Sequence, residues 1–149
     1  MSKNLLLEPI IDSARILGLI PQKPPFVMVD TLFEYSPLTG ITGFEIPENN
    51  ILVENGIFSE PGLIEHMAQS MSLHRGYQGF LAGLSHPKTG FIGIIKSVEI
   101  FSLPLVGTRL KTYVEILHEI MNVTSVSART EDETGKILAI SEMKTVTVD

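Results

Sequence analysis

The sequence predicts an α+β domain in which an antiparallel sheet wraps around one long helix, and three observations predict it. Only the segment PGLIEHMAQSMSLHRGYQGFLA is long enough and helically periodic enough to form a full helix, with Ile64, Met67, Ala68 and Met71 recurring at that spacing. Nearly everything else alternates as strands punctuated by glycine and proline. At 149 residues and 44% apolar composition the chain builds one core and is too short for two ordinary domains.

In chain order, Pro9 suits the first turn of a short helix running to Leu17, with Gly18 as its stop. After the proline-rich stretch, Phe26 to Tyr35 and Ile41 to Ile46 read as two strands of a hairpin turning through Pro37 and Gly40. Pro47 to Glu60 reads as a loop, and Ser59, Glu60 and Pro61 suit the start of the long helix. Phe91 to Phe101, Thr108 to Ile120, Val123 to Thr130 and Ile137 to Val148 then read as strands, with Gly135 turning the last hairpin. A single apolar helix beside so much sheet is buried only if the sheet curls around it, which is the hotdog architecture.

Composition narrows the function. A net charge of −6 without a basic cluster argues against a nucleic-acid surface. With no cysteine there is no disulfide, no thiolate nucleophile and no cysteine-ligated zinc, and without an HExxH spacing no metal is expected. The opening MSKNLLLEPIID breaks its apolar run at Glu8 and Pro9, so neither a signal-peptide core nor a membrane span is expected there, and the protein is predicted to be cytoplasmic, without a membrane partner. A positive mean hydropathy in a chain this small predicts that part of its surface is covered by a partner, most simply a second copy in a homodimer.

Three stretches carry a family resemblance. IPQKPPFVMVD, residues 20–30, resembles the L-P-H-R-x-P-F-L-L-V-D segment of the 3-hydroxyacyl-(acyl carrier protein) dehydratases of fatty acid synthesis, with Gln22 where that family has its histidine. Glu65 to Gln69, EHMAQ, is similar to the family's E-A-M-A-Q on the central helix, and FIGIIK matches its F-L-A-G-I-x-K strand at Phe91, Gly93, Ile94 and Lys96. The approach to the helix, with Pro61 and Gly62 two residues nearer to Glu65 than in that family, also resembles the dehydratase-like hotdog proteins of aryl polyene pathways.

The resemblance implies a dimer with active sites at the subunit interface, where the residue at position 22 of one subunit faces Glu65 of the other. In that family the histidine and the carboxylate are the base and acid of water elimination from a thioester carried by acyl carrier protein or coenzyme A, with no cofactor. It implies Glu65 and Gln22 as catalytic positions, a helix-start N–H from Gly62 that polarises the thioester carbonyl, and Gln69, Phe26, Met67 and Gly93 as substrate-facing positions. Gln22, however, is an amide that does not titrate and cannot accept the proton. It either faces ligand or hydrogen-bonds the turn that holds it. His66 and His74 fall off the Glu65 face of the helix, and neither His86 nor His118 has a partner visible in the spacing, so structural or surface roles are expected for all four histidines. Three functions stay open: a dehydratase-related lyase, a thioesterase using Glu65 with Gln22 and Gly62, and a non-catalytic acyl-binding subunit completed by a partner's histidine.

Overall fold

The computed structural model describes residues 3–84 and 89–148. Its elements are α1 (Ser13–Leu17), β1 (Thr31–Tyr35), β2 (Thr39–Glu45), β3 (Val53–Glu54), β4 (Ile57–Phe58), α2 (Glu60–Leu81), β5 (Thr89–Ile100), β6 (Arg109–Ile120), β7 (Val123–Glu131) and β8 (Ile137–Val148). Six strands form one antiparallel sheet in the order β1-β2-β6-β7-β8-β5. The 22-residue α2 packs against all six, so the sheet does curl around one helix. This is the hotdog fold.

Burial around α2 explains why its pattern is weakly amphipathic. Leu63, Met67 and Met71 press into a core with Met28, Phe44, Phe58, Leu110, Val126 and Met143, each such side chain contributing about 1.5–3 kcal/mol of burial. A second cluster joins Leu73 and Tyr77 to Ile16, Leu19, Ile20, Leu32 and Tyr35, seating the N-terminal arm against the same helix. Only a narrow stripe, including Glu65, Ala68 and Ser72, is partly exposed. Gly76 permits the arm's close approach: a Cβ there would stand 1.7 Å from the Leu19 carbonyl oxygen.

Several boundaries differ from expectation for identifiable reasons. The first helix begins at Ser13 rather than Pro9, because Ile10 is spent bridging Leu32 and thereby covers part of the outer edge of β1. The first strand begins at Thr31 rather than Phe26, because the backbone of Phe26 and Met28 bonds to helix side chains instead of a neighbouring strand. Within the expected loop 47–60, β3 and β4 pair as a small hairpin, turned by Asn55 and Gly56 at φ 53° and 76°. Asn-Gly is the favoured pair for such a turn. The opposite sheet edge, β5, pairs with β8 on its inner side, has no strand on its outer side among the described residues, and exposes Ile94 and Ile95. No helix among the described residues is long and apolar enough to cross a membrane.

Candidate active site

The candidate site centres on the second turn of α2. Glu65 lies on the partly exposed stripe, and its carboxylate Oε1 accepts a 2.8 Å hydrogen bond from Gln69 Nε2, one helical turn on. Gln69 is fully buried and already committed elsewhere: Nε2 also donates to the Phe26 carbonyl at 2.6 Å, and Oε1 accepts the Met28 N–H at 2.6 Å. Both amide hydrogens are thereby used, leaving none for a ligand. The structure makes Gln69 a clamp that orients Glu65 and fastens residues 26–28 to the helix.

His66 closes the same clamp from the other side. Its Nδ1 lies 2.7 Å from the Met28 carbonyl oxygen, which can only accept, so Nδ1 carries the proton and Nε2 accepts from the Thr112 hydroxyl at 2.7 Å. Thr112 in turn lies 2.6 Å from Thr130, which extends the chain into β7. Burial pushes the imidazole pKa down to about 4, with the Met28 bond opposing part of that fall. Ser70 links the helix to β2 by donating to the His66 carbonyl and accepting from Thr42.

The remaining histidines give Glu65 no base. His74 is buried with Nε2 bonded to the Ser36 carbonyl, and burial lowers its pKa. His118 bonds Ser125 Oγ at 3.1 Å, next to the Glu119–Arg75 ion pair in the later half of the helix. His86 lies outside the described residues. Neither ring nitrogen of His66 is free.

Gln22 sits in the turn that precedes the clamped segment, four residues before Phe26. Its Oε1 is the one buried side-chain oxygen or nitrogen among the described residues that has no hydrogen-bond partner. The turn is poor in donors. Pro21, Pro24 and Pro25 have no N–H, the Lys23 ammonium is spent on the Leu17 and Ile20 carbonyls, and the Phe26 N–H on the Lys23 carbonyl. Of the two fates open to Gln22, bonding within the turn is not the one its oxygen takes.

The other expected positions fall out unevenly. Gly62 lies in the first turn of α2, where N–H groups lack intrahelical acceptors, and its missing side chain makes room for Phe58, whose ring would be 2.6 Å from a Cβ. Phe26 exposes its ring while its carbonyl is clamped. Met67 is fully buried in the core and accepts a weak hydrogen bond from Ser141. Gly93 stands at a β5 bulge, where a Cβ would meet Val146 at 2.9 Å. His66, Thr112 and Thr130 were not expected in the site's support. Their signal in the sequence is a polar residue on the helix and one at the inward register of each of two strands. No group of three or more His, Asp or Glu among the described residues is arranged to hold a metal. A groove of about 600 Å³ on the outer sheet face, between Tyr113, Arg129 and Glu142, contains none of these positions.

Comparison with known proteins places the fold. The family model described as ApeP-like, ApeP dehydratase, matches residues 14–146. Among solved structures, the dehydratase heterocomplex ApeI:P from Xenorhabdus doucetiae superposes with a TM-score of 0.82 at 15% identity, covering 90% of this chain and 91% of that one. The PaaI protein from the phenylacetic acid degradation operon of E. coli matches at TM-score 0.62 and 9% identity over 77% and 80% of the two chains. A hypothetical thioesterase from Streptococcus pneumoniae, solved with coenzyme A, matches at 0.63 and 11% over 78% and 84%. At these identities the structures share the fold alone. No curated protein sequence matches the chain.

Proposed function

The chain belongs to the ApeP-like dehydratase family, and on that premise we propose that it binds acyl thioesters and contributes the acid, but not the base, of a 3-hydroxyacyl dehydratase. The observation that carries this reading is the absence, among the described residues, of any free titratable base beside Glu65: both nitrogens of His66 are bonded inside the core, and by the resemblance of residues 20–30 Gln22 takes the place of that family's histidine. Elimination of water needs a base for the C2 proton and an acid for the departing hydroxyl. Glu65, held through Oε1 with Oε2 unbonded among the described residues, suits the acid role.

The second chain of the assembly pairs along β5. One edge of the sheet is partly covered by residues 5–10, whereas the 12-residue β5, paired with β8 on its inner side, has no strand on its outer side among the described residues and exposes Ile94 and Ile95, an edge that folded proteins rarely leave open. Two copies paired in this way form a dimer with carboxylates but no base. A family member that keeps the histidine would supply it in a mixed pair, in keeping with the heterocomplex described for ApeI:P. The acyl group is carried on acyl carrier protein or coenzyme A, and the reaction takes place in the cytoplasm.

The test is to incubate the purified protein with 3-hydroxyacyl, 2-enoyl and saturated acyl thioesters, alone and mixed with a histidine-bearing relative. The protein alone should bind thioesters without forming enoyl product, and the mixture should dehydrate. Release of free thiol by the protein alone would make it a hydrolase instead. Efficient dehydration by the protein alone would overturn the reading.

A further inference from the structure

We propose that Gln22 is a specificity-determining residue whose buried oxygen accepts a hydrogen bond from the 3-hydroxyl of the bound acyl chain, so that the protein retains 3-hydroxyacyl thioesters in preference to saturated or enoyl ones. This rests on the acyl-thioester reading above and adds the identity of the group that is read. Gln22 Oε1 is the lone buried side-chain oxygen or nitrogen among the described residues without a partner, and such atoms are uncommon because each forfeits the bonds it made to water. The surrounding turn cannot satisfy it. Residues 21–25 include three prolines, and the Lys23 ammonium and Phe26 N–H are both engaged with carbonyls. The turn thus leaves this oxygen open to a donor brought by a ligand.

The chemistry of the ligand singles out that donor. Near the reacting carbons, a saturated or enoyl chain presents methylenes, a carbonyl and a thioester sulfur, none of which donates. A 3-hydroxyacyl chain presents one O–H. The clamp formed by Gln69 and His66 fastens residues 26–28 to α2, so the turn bearing Gln22 is held at its own C-terminal end against the helix. An amide also suits recognition better than an imidazole, because it presents an acceptor at every pH and never removes the proton it reads. A site whose buried acceptor is satisfied only by a hydroxyl rejects the analogue that lacks it, because that complex leaves the acceptor unpaired.

The experiment measures dissociation constants of the full chain for 3-hydroxyoctanoyl-, octanoyl- and 2-octenoyl-pantetheine by calorimetry, with free thiol monitored, for wild type and Gln22→Leu. The wild type is expected to bind the 3-hydroxy compound about 10- to 100-fold more tightly than the octanoyl one. In Gln22→Leu the ratio should fall to about one, with octanoyl affinity unchanged or improved. A wild-type ratio near one, as when a neighbouring chain already satisfies Gln22, overturns the proposal, as does a preference that survives in Gln22→Leu. If the octanoyl compound binds no better than pantetheine itself, the acyl-binding reading falls and this inference falls with it. The wild-type ratio decides the matter even where the variant fails to fold.

Discussion

His66 ties the stability of the fold to pH in a way that can be measured directly. In the unfolded chain its imidazole takes a proton near pH 6.5, whereas in the folded protein burial delays protonation to about pH 4. Between those values the unfolded state binds the proton and the folded state does not, so stability rises with pH across that window. The contribution is fully present above pH 6.5 and is lost as pH falls from there towards 4. The difference between 6.5 and about 4 corresponds to roughly 3 kcal/mol at about 1.4 kcal/mol per unit. His74, also lowered by burial, adds a loss of the same sign, whereas Asp30, raised by burial, contributes with the opposite sign. Comparing the wild type with His66→Gln, which carries no charge at any of these values, isolates the His66 contribution. Urea unfolding followed by circular dichroism at intervals from pH 7.5 to 4 should show the wild type losing about 3 kcal/mol more than the variant. At pH 7.5 the variant should itself start lower, by about 1–3 kcal/mol for imperfectly replaced bonds to Met28 and Thr112. Parallel stability curves for the two proteins would refute the buried neutral imidazole.

Three other variants have outcomes set by the fold. Gly76→Ala should cost about 3 kcal/mol or more in thermal unfolding, because the new Cβ would meet the Leu19 backbone at 1.7 Å and neither chain segment can yield cheaply. Gln69→Leu should cost about 1–3 kcal/mol for each of the Met28 N–H and Phe26 carbonyl left unpaired, again read as a lower melting temperature; an unchanged value would mean that the clamp is not formed. Ile94→Lys with Ile95→Lys should convert the proposed β5-paired dimer to monomer in light scattering at micromolar concentration, and a double variant that remains dimeric would move the interface away from that edge.

The architecture was legible because its signals are long-range in sequence and simple in period. A single helical stretch of 22 residues among alternating strands leaves few ways to bury the helix other than inside a curved sheet. Boundaries failed where tertiary partners replaced local ones. Phe26 and Met28 have strand-like side chains, yet their backbone groups bond to Gln69 and His66 on α2, contacts that no local pattern announces. Glu65 and Gln69 were correctly placed on the same side of the helix, where their side chains are hydrogen-bonded. The role expected for Gln69 as a ligand contact is not supported by its bonding, since both of its hydrogens are spent inside the chain. The part played by His66 was hidden because its partners, Met28 and Thr112, lie 38 and 46 residues away. That separation is set by the fold and not by spacing along α2. The orphaned oxygen of Gln22 was likewise beyond the sequence, although the prolines that deprive it of donors were in plain view.

One measurement tests the missing base most directly: enoyl absorbance with time on a 3-hydroxyacyl thioester for wild type, Gln22→His, and Gln22→His with Glu65→Gln. If Glu65 supplies the acid and only the base is missing, the wild type should form no enoyl product. Gln22→His should gain dehydration by up to the roughly 100- to 10,000-fold typical of a positioned base, and the double variant should lose that gain. Dehydration by the wild type at a rate that Gln22→His does not raise, or a folded Gln22→His protein that binds the thioester and forms no product, would contradict the claim that this chain supplies the acid and lacks only the base.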